Sequence, residues 1–78
     1  MSFKITLDKL KIGEKARVLK IEHDSDIQRR LWDLGLINGS VVEKISTSPM
    51  GDPSAFLVKN TAVALRNTIC KKINAEIG

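Results

Sequence analysis

Residues Arg29 to Ser40 read RRLWDLGLINGS, and this stretch decides the fold. Upstream, Ile27, Leu31 and Leu34 recur at i, i+4 and i+7, which is one face of a helix. The pattern stops at Gly35. With Gly35 one residue past the C-cap, Leu31 and Leu36 occupy the two positions that pack together in a Schellman ending. A phosphate-binding glycine loop would need its glycines before a helix, where backbone N–H groups face the anion. Here they follow one, so Gly35 is a helix stop and Asn38-Gly39 a tight turn into a strand. No GxxxxGK[ST] occurs in the chain, which argues against nucleotide hydrolysis by the chain itself.

Working outward, His23-Asp24-Ser25-Asp26 is polar and rich in N-cap residues, so it opens the helix. Before it, Thr6 to Leu10 suggests a short helical turn capped by Thr6, and Lys11 to Glu14 a turn. Ala16 to Glu22 reads as a strand, in which Val18 and Ile21 are three apart and need a bulge or a bend to face the same core. After Gly39 the pattern becomes β. Val41–Ser46, Ala55–Val58 and Ala62–Leu65 are strands, with Lys59-Asn60 a hairpin turn that puts Asn60 at positive φ. Between the first two, Thr47 to Ser54 carries two prolines and a glycine and should be an exposed loop. Thr68 to Lys71 suggests one helical turn capped by Thr68, and Lys72 to Ala75 a last strand. Five or six short strands with one inserted α-helix describe a mainly β chain, a small SH3-like barrel.

Composition narrows the function. Seventy-eight residues suffice for one domain, 1–78, with a thin core. The formal net charge is +4, but the basic residues are scattered, and only Phe3, Trp32 and Phe56 are aromatic. Nucleic acid is therefore disfavoured as a partner, since single-strand binders combine clustered charge with aromatic platforms. The lone Cys70 forbids an internal disulfide and fits a reducing compartment. No apolar run approaches a membrane span, and charges recur through the N-terminal residues, unlike a signal peptide. A cytoplasmic protein follows, reaching a membrane only through a partner. Its open strand edges suit a monomer or a weak homodimer.

Few residues invite chemistry. Glu22, His23, Asp24 and Asp26 form a polar cluster, but with one His and one distant Cys there is no metal-ligand spacing. Loop solvation and helix capping account for them better than a metal, and no cofactor is expected. His23 and Ser25 lack a nucleophile elbow and an orienting group. Cys70 follows Ile69 in a turn and reads as a small packed hydrophobe. Two residues stay open. Trp32, about a third of a turn off the apolar stripe, is either a flank of the core or an aromatic offered to a partner. Met50, between Pro49 and Gly51, is either self-packed or an adaptable contact.

The order Leu10-x-x-Gly13, Val18-x-x-Ile21, RL-x-x-LGL-x-x-G over Arg30–Gly39, Pro49-Met50-Gly51-Asp52-Pro53, Val63-Ala64-Leu65-Arg66 and Ile73 resembles the FeoA family, over roughly Leu7 to Ile73. The resemblance implies an SH3-like barrel without enzymatic activity. It implies a small cytosolic accessory of bacterial ferrous-iron uptake that binds the nucleotide-hydrolysing part of the FeoB transporter. Two surfaces are the expected contacts: Arg29, Arg30 and Trp32 on one helix face, and the loop of Pro49, Met50, Gly51, Asp52 and Pro53. The alternative is an Fe2+-sensing module related to the SH3-like domain of iron-dependent repressors, with His23, Asp24 and Cys70 as candidate ligands. Two departures stand out. Asn38 replaces a frequent family Pro, and Cys70 a frequent Ala.

Overall fold

The computed structural model describes residues 2–78. The chain runs β1 (Phe3–Thr6), a 3-10 turn (Leu7–Lys9), β2 (Lys15–Ile21), α1 (Ser25–Asp33), β3 (Val41–Thr47), β4 (Ser54–Val58), β5 (Thr61–Leu65), α2 (Asn67–Cys70) and β6 (Ile73–Ile77). The strands form one six-stranded sheet in the order β1-β6-β2-β3-β4-β5, with every pairing antiparallel. β6, last in sequence, lies between β1 and β2 and ties the two ends of the chain together. Buried residues come from β2 through β6 alike (Val18, Val42, Phe56, Val63 and Ile73 among them), so the sheet wraps around one core. Leu7, Leu10, Leu31 and Leu36 close that core from the connecting segments.

The curvature comes from bulges. Val18 faces Ala75 and Lys20 faces Asn74, so Leu19 is an extra residue in β2. That extra residue lets Ala16, Val18 and Ile21 all point inward, as the uneven spacing required. A second shift in β3 makes Ile45 the extra residue between the pairs Lys44–Phe56 and Ser46–Ala55.

The helix end follows the expected geometry. The Leu36 N–H donates to the Leu31 carbonyl at 2.8 Å and the Gly35 N–H to the Trp32 carbonyl at 2.9 Å. These are the two bonds of a Schellman ending. Gly35 has φ +94°, and Leu31 and Leu36 are both buried. Next, the Ser40 N–H donates to the Ile37 carbonyl at 3.0 Å, closing a turn. In that turn Gly39 has φ +92° while Asn38 is not at positive φ, the signature of a type II turn. Type II favours Pro where Asn38 stands, so Asn38 can depart from the proline that the resemblance implies without changing the turn. The turn is stitched to β2, since Val18 donates to the Ser40 carbonyl at 2.8 Å and accepts from Gly39 at 2.6 Å.

Three expectations need correction, and one strand lies outside them. Phe3–Thr6 is a strand, which its exposed residues do not announce. It exists because β6 offers it a full register from Phe3–Ile77 to Thr6–Asn74. Leu34 fits the apolar stripe but is 45% exposed, because the helix has already ended and Leu34 is its C-cap. Thr68 lies inside α2 rather than capping it, and Thr6 caps nothing, its hydroxyl donating instead to the Asp8 carboxylate. The β4–β5 hairpin has the expected positive φ at Asn60, 65°, and Lys59 at 49° completes a type I′ turn.

Candidate partner-binding surfaces

α1 is fixed at both ends. The Ile27 N–H donates to Asp24 Oδ1 at 3.0 Å, which makes Asp24 the N-cap. Gln28 Nε2 donates to the Ile21 carbonyl at 2.9 Å and holds the helix flank against β2. Leu31 then faces the core and Trp32 turns outward, 51% exposed. Trp32 sits in a surface groove with Lys20, Ile21, Gln28, Ile37 and Asn38. Its apolar part comes from Trp32 and the partly exposed Ile37, and its rim is polar. Lys20 is 3.9 Å from Glu22 with both side chains largely exposed, a pairing of little energetic weight that leaves the ammonium available. An apolar recess with an aromatic wall and a polar rim can take an anchoring side chain of a partner.

Arg29, Arg30 and Trp32 do not share one face. At 100° per residue Arg29 is ~60° from Trp32 around the helix, and Arg30 is ~160° away. Both arginines are exposed and lie with Asp26, Ile27 and Asp33 over a separate shallow recess. Sequence reasoning also missed Lys20, Gln28 and Ile37 as neighbours of Trp32. The signal for Ile37 was its place as first residue of the Asn38-Gly39 turn, where an apolar side chain is left outside the core.

The proline loop is braced rather than loose. Ser48 donates its N–H to the Pro53 carbonyl at 3.0 Å, and Gly51 donates to the Ser48 carbonyl at 2.8 Å. Asp52 Oδ1 accepts the Asn67 N–H at 3.0 Å, and Asn67 Nδ2 reaches the Gly51 carbonyl at 3.4 Å. Asp52 therefore does for α2 what Thr68 was expected to do. Met50 projects from the tip, 91% exposed, so it is not self-packed. The loop joins Thr47 to Ser54, whereas Gly35 lies beside Val58 and Lys59 at the other end of the β3–β4 pair. A seven-residue strand spans ~20 Å, so the loop and the Trp32 groove lie at opposite ends of β3.

The candidate metal ligands are dispersed. His23 Nε2 lies 2.9 Å from the Ile69 carbonyl, where the ring N–H donates and ties the β2–α1 loop to α2. Asp24 is spent on its cap. Cys70 is fully buried, and burial pushes its thiol from 9.0 up to about 12, with Asp8 adding to the effect. Among the described residues no three His, Cys, Asp or Glu side chains come together. Ser25 is simply the first residue of α1. No helix is long and apolar enough to cross a membrane.

Comparison with known proteins agrees with this architecture. The FeoA domain family model matches residues 5–77. A Porphyromonas gingivalis protein described as an Fe(2+) transport protein A/Fe(2+) transporter FeoB fusion is 24% identical over 71 residues, which is 91% of this chain and 8% of that protein's length. The solution structure of Chlorobium tepidum FeoA has 29% identity and a TM-score of 0.89, covering 94% of this chain and 70% of that one. Stenotrophomonas maltophilia FeoA, described as a prokaryotic SH3 domain protein and complexed there with zinc, has 33% identity and a TM-score of 0.72 over 88% of this chain and 86% of its own. The mainly β, SH3-like fold with its one substantial helix is thus that of known FeoA proteins, and the chain belongs to the FeoA family.

Proposed function

We propose that this chain is an accessory of ferrous-iron uptake that docks on the cytosolic, nucleotide-hydrolysing part of FeoB, and so acts in the cytoplasm and at the membrane only through that partner. The observation that carries this reading is the fusion, in which a domain similar to 91% of this chain shares one polypeptide with the transporter. A covalent link holds two parts at millimolar effective concentration. Where the two parts are separate polypeptides, surface contacts have to supply what the link supplies there. The Trp32–Ile37 groove, with its exposed aromatic wall, is the surface we assign to this, with Arg29 and Arg30 over their separate recess and Met50 at the far end of β3 as further contacts. The formal charge of +4 favours an acidic partner face.

The alternative of an Fe2+-sensing module requires His23, Asp24 and Cys70 to leave the partners and the core that hold them here. The docking reading is tested by calorimetric titration of the cognate transporter's cytosolic part into the folded protein. Binding with a dissociation constant in the micromolar range is expected. Absence of binding at tens of micromolar overturns direct, stable recognition of that part. Nucleotide hydrolysis and iron uptake, each with and without this protein, then give the direction of the effect.

A further inference from the structure

β5, Thr61–Leu65, is an edge strand, with β4 on one side and nothing hydrogen-bonded to it on the other. Its hairpin fixes which of its groups are free. The two-residue I′ turn makes Val58–Thr61 a hydrogen-bonded pair. Antiparallel pairs alternate, so Phe56–Val63 and Ser54–Leu65 are also hydrogen-bonded pairs. Ala62 and Ala64 are left with their N–H and C=O directed away from β4. Both residues are exposed, and among the described residues neither backbone has a partner outside the β4–β5 pair.

The edge also lacks the usual protection. Edge strands are commonly blunted by lysine, proline or a bulge. The opposite edge, β1, carries Lys4, but Thr61-Ala-Val-Ala-Leu65 has no charge and no proline, and its register with β4 is unbroken. Val63 and Leu65 point into the core, and only the methyls of Ala62 and Ala64 stand on the outer face. Such a flat edge admits another backbone closely.

Charge selects the occupant. Lys59 precedes the strand and Arg66 follows it, both exposed and, among the described residues, without an ion pair. Asp52 is the acidic side chain at the Arg66 end, and it is held by the Asn67 N–H. A second copy of this chain would pair about a two-fold axis at Val63, opposing Ala62 to Ala64. That register sets each Arg66 opposite the other copy's Asn60, next to its Lys59, and so gathers like charges at both ends. An extended strand with acidic residues flanking an uncharged centre meets cations at both ends instead.

We infer that β5 takes up such an acidic-flanked strand, added antiparallel or parallel to its free edge through the backbones of Ala62 and Ala64. Resting on the docking reading above, the strand belongs to the cytosolic part of the transporter. Amide exchange tests this on the full chain with that cytosolic part as the probe. In the free protein the Ala62 and Ala64 amides exchange quickly, while those of Thr61, Val63 and Leu65 are protected by β4. On binding, Ala62 and Ala64 gain protection. Ala64→Pro, which removes an outward N–H and no bond to β4, weakens affinity about tenfold or more, and Ala64→Val, which keeps the N–H, does not. Lys59→Glu with Arg66→Glu also weakens it, and unchanged affinity overturns the acidic flanks. Binding without protection of Ala62 and Ala64 overturns the edge as the site and leaves the docking reading standing. Protection that rises with the protein's own concentration, without the probe, assigns the edge to a second copy and overturns the inference. No binding at all overturns the docking reading, and this inference falls with it.

Discussion

Gly35 is held at φ +94°, and a Cβ built there would sit 3.3 Å from both Lys59 Cδ and Val58 Cγ1. Gly39 has nearly the same φ, +92°, but nothing within 4 Å. The pair separates backbone strain from crowding. Gly39→Ala should cost ~1 kcal/mol, the penalty of a side chain in left-handed backbone. Gly35→Ala should cost ~2–3 kcal/mol, because Val58 is core and cannot withdraw far. Urea unfolding of both variants checks this, and equal losses would remove packing from the account of Gly35. Cys70 gives a pH-dependent case. Burial raises its thiol from 9.0 to about 12. Below pH 9 folded and unfolded chains both keep the proton, so this contribution to stability is fully present. Above pH 9 the unfolded chain gives it up while the folded chain retains it, so stability falls until the pH passes about 12. Between pH 8 and 10.5 the wild type should lose ~2 kcal/mol more than Cys70→Ala does. Parallel pH profiles for the two would mean that the thiol ionises in the folded state.

The elements divide by how local their signals are. The limits of α1 were legible because its cap, Asp24, and its stop, Gly35, adjoin the residues they control. The β2 bulge was legible too, since Val18 and Ile21 cannot otherwise share a side. β1 was not, because Phe3 and Lys4 are exposed and the strand exists only by pairing with β6 at the far end of the sequence. α2 misled for the same reason. Its cap comes from Asp52, 15 residues upstream, while Thr68 looked suitable and was nearer. The long-range cap carries its own expectation. Asp24→Ala and Asp52→Ala should each cost ~1 kcal/mol, the ordinary value of a cap. Only Asp52→Ala should also release the loop, speeding amide exchange at Gly51 and Asn67, because the same side chain joins loop and helix. Asp52→Asn keeps an acceptor and should restore most of both. A loop unaffected by Asp52→Ala would show that its own turn, Gly51 to Ser48, holds it.

Across the whole molecule, three of the proposed contact features lie apart: the Trp32–Ile37 groove beside β2, the Met50 loop at the other end of β3, and the β5 edge. The first two were partly legible as Trp32 and the Pro49–Pro53 motif. Their separation was not, because it depends on which end of the β3–β4 pair each connection leaves. Nor was the division of Arg30 from Trp32, since proximity in sequence hides ~160° of helix rotation. This separation makes the proposed docking divisible. Trp32 is half exposed and forms a groove wall, so Trp32→Ala should lower stability by no more than ~1 kcal/mol. It should nevertheless weaken transporter binding ~30-fold or more, as loss of an aromatic anchor does. Met50 lies at a tip with little around it, and Met50→Ala should change affinity less than about threefold, the effect of a peripheral contact. The two sites are ~20 Å apart, so their effects should add in the double variant. Titrations of the three variants decide the matter. A large Met50 effect with a neutral Trp32 transfers the docking surface to the proline loop. Strong non-additivity would mean that one partner segment spans both ends of β3.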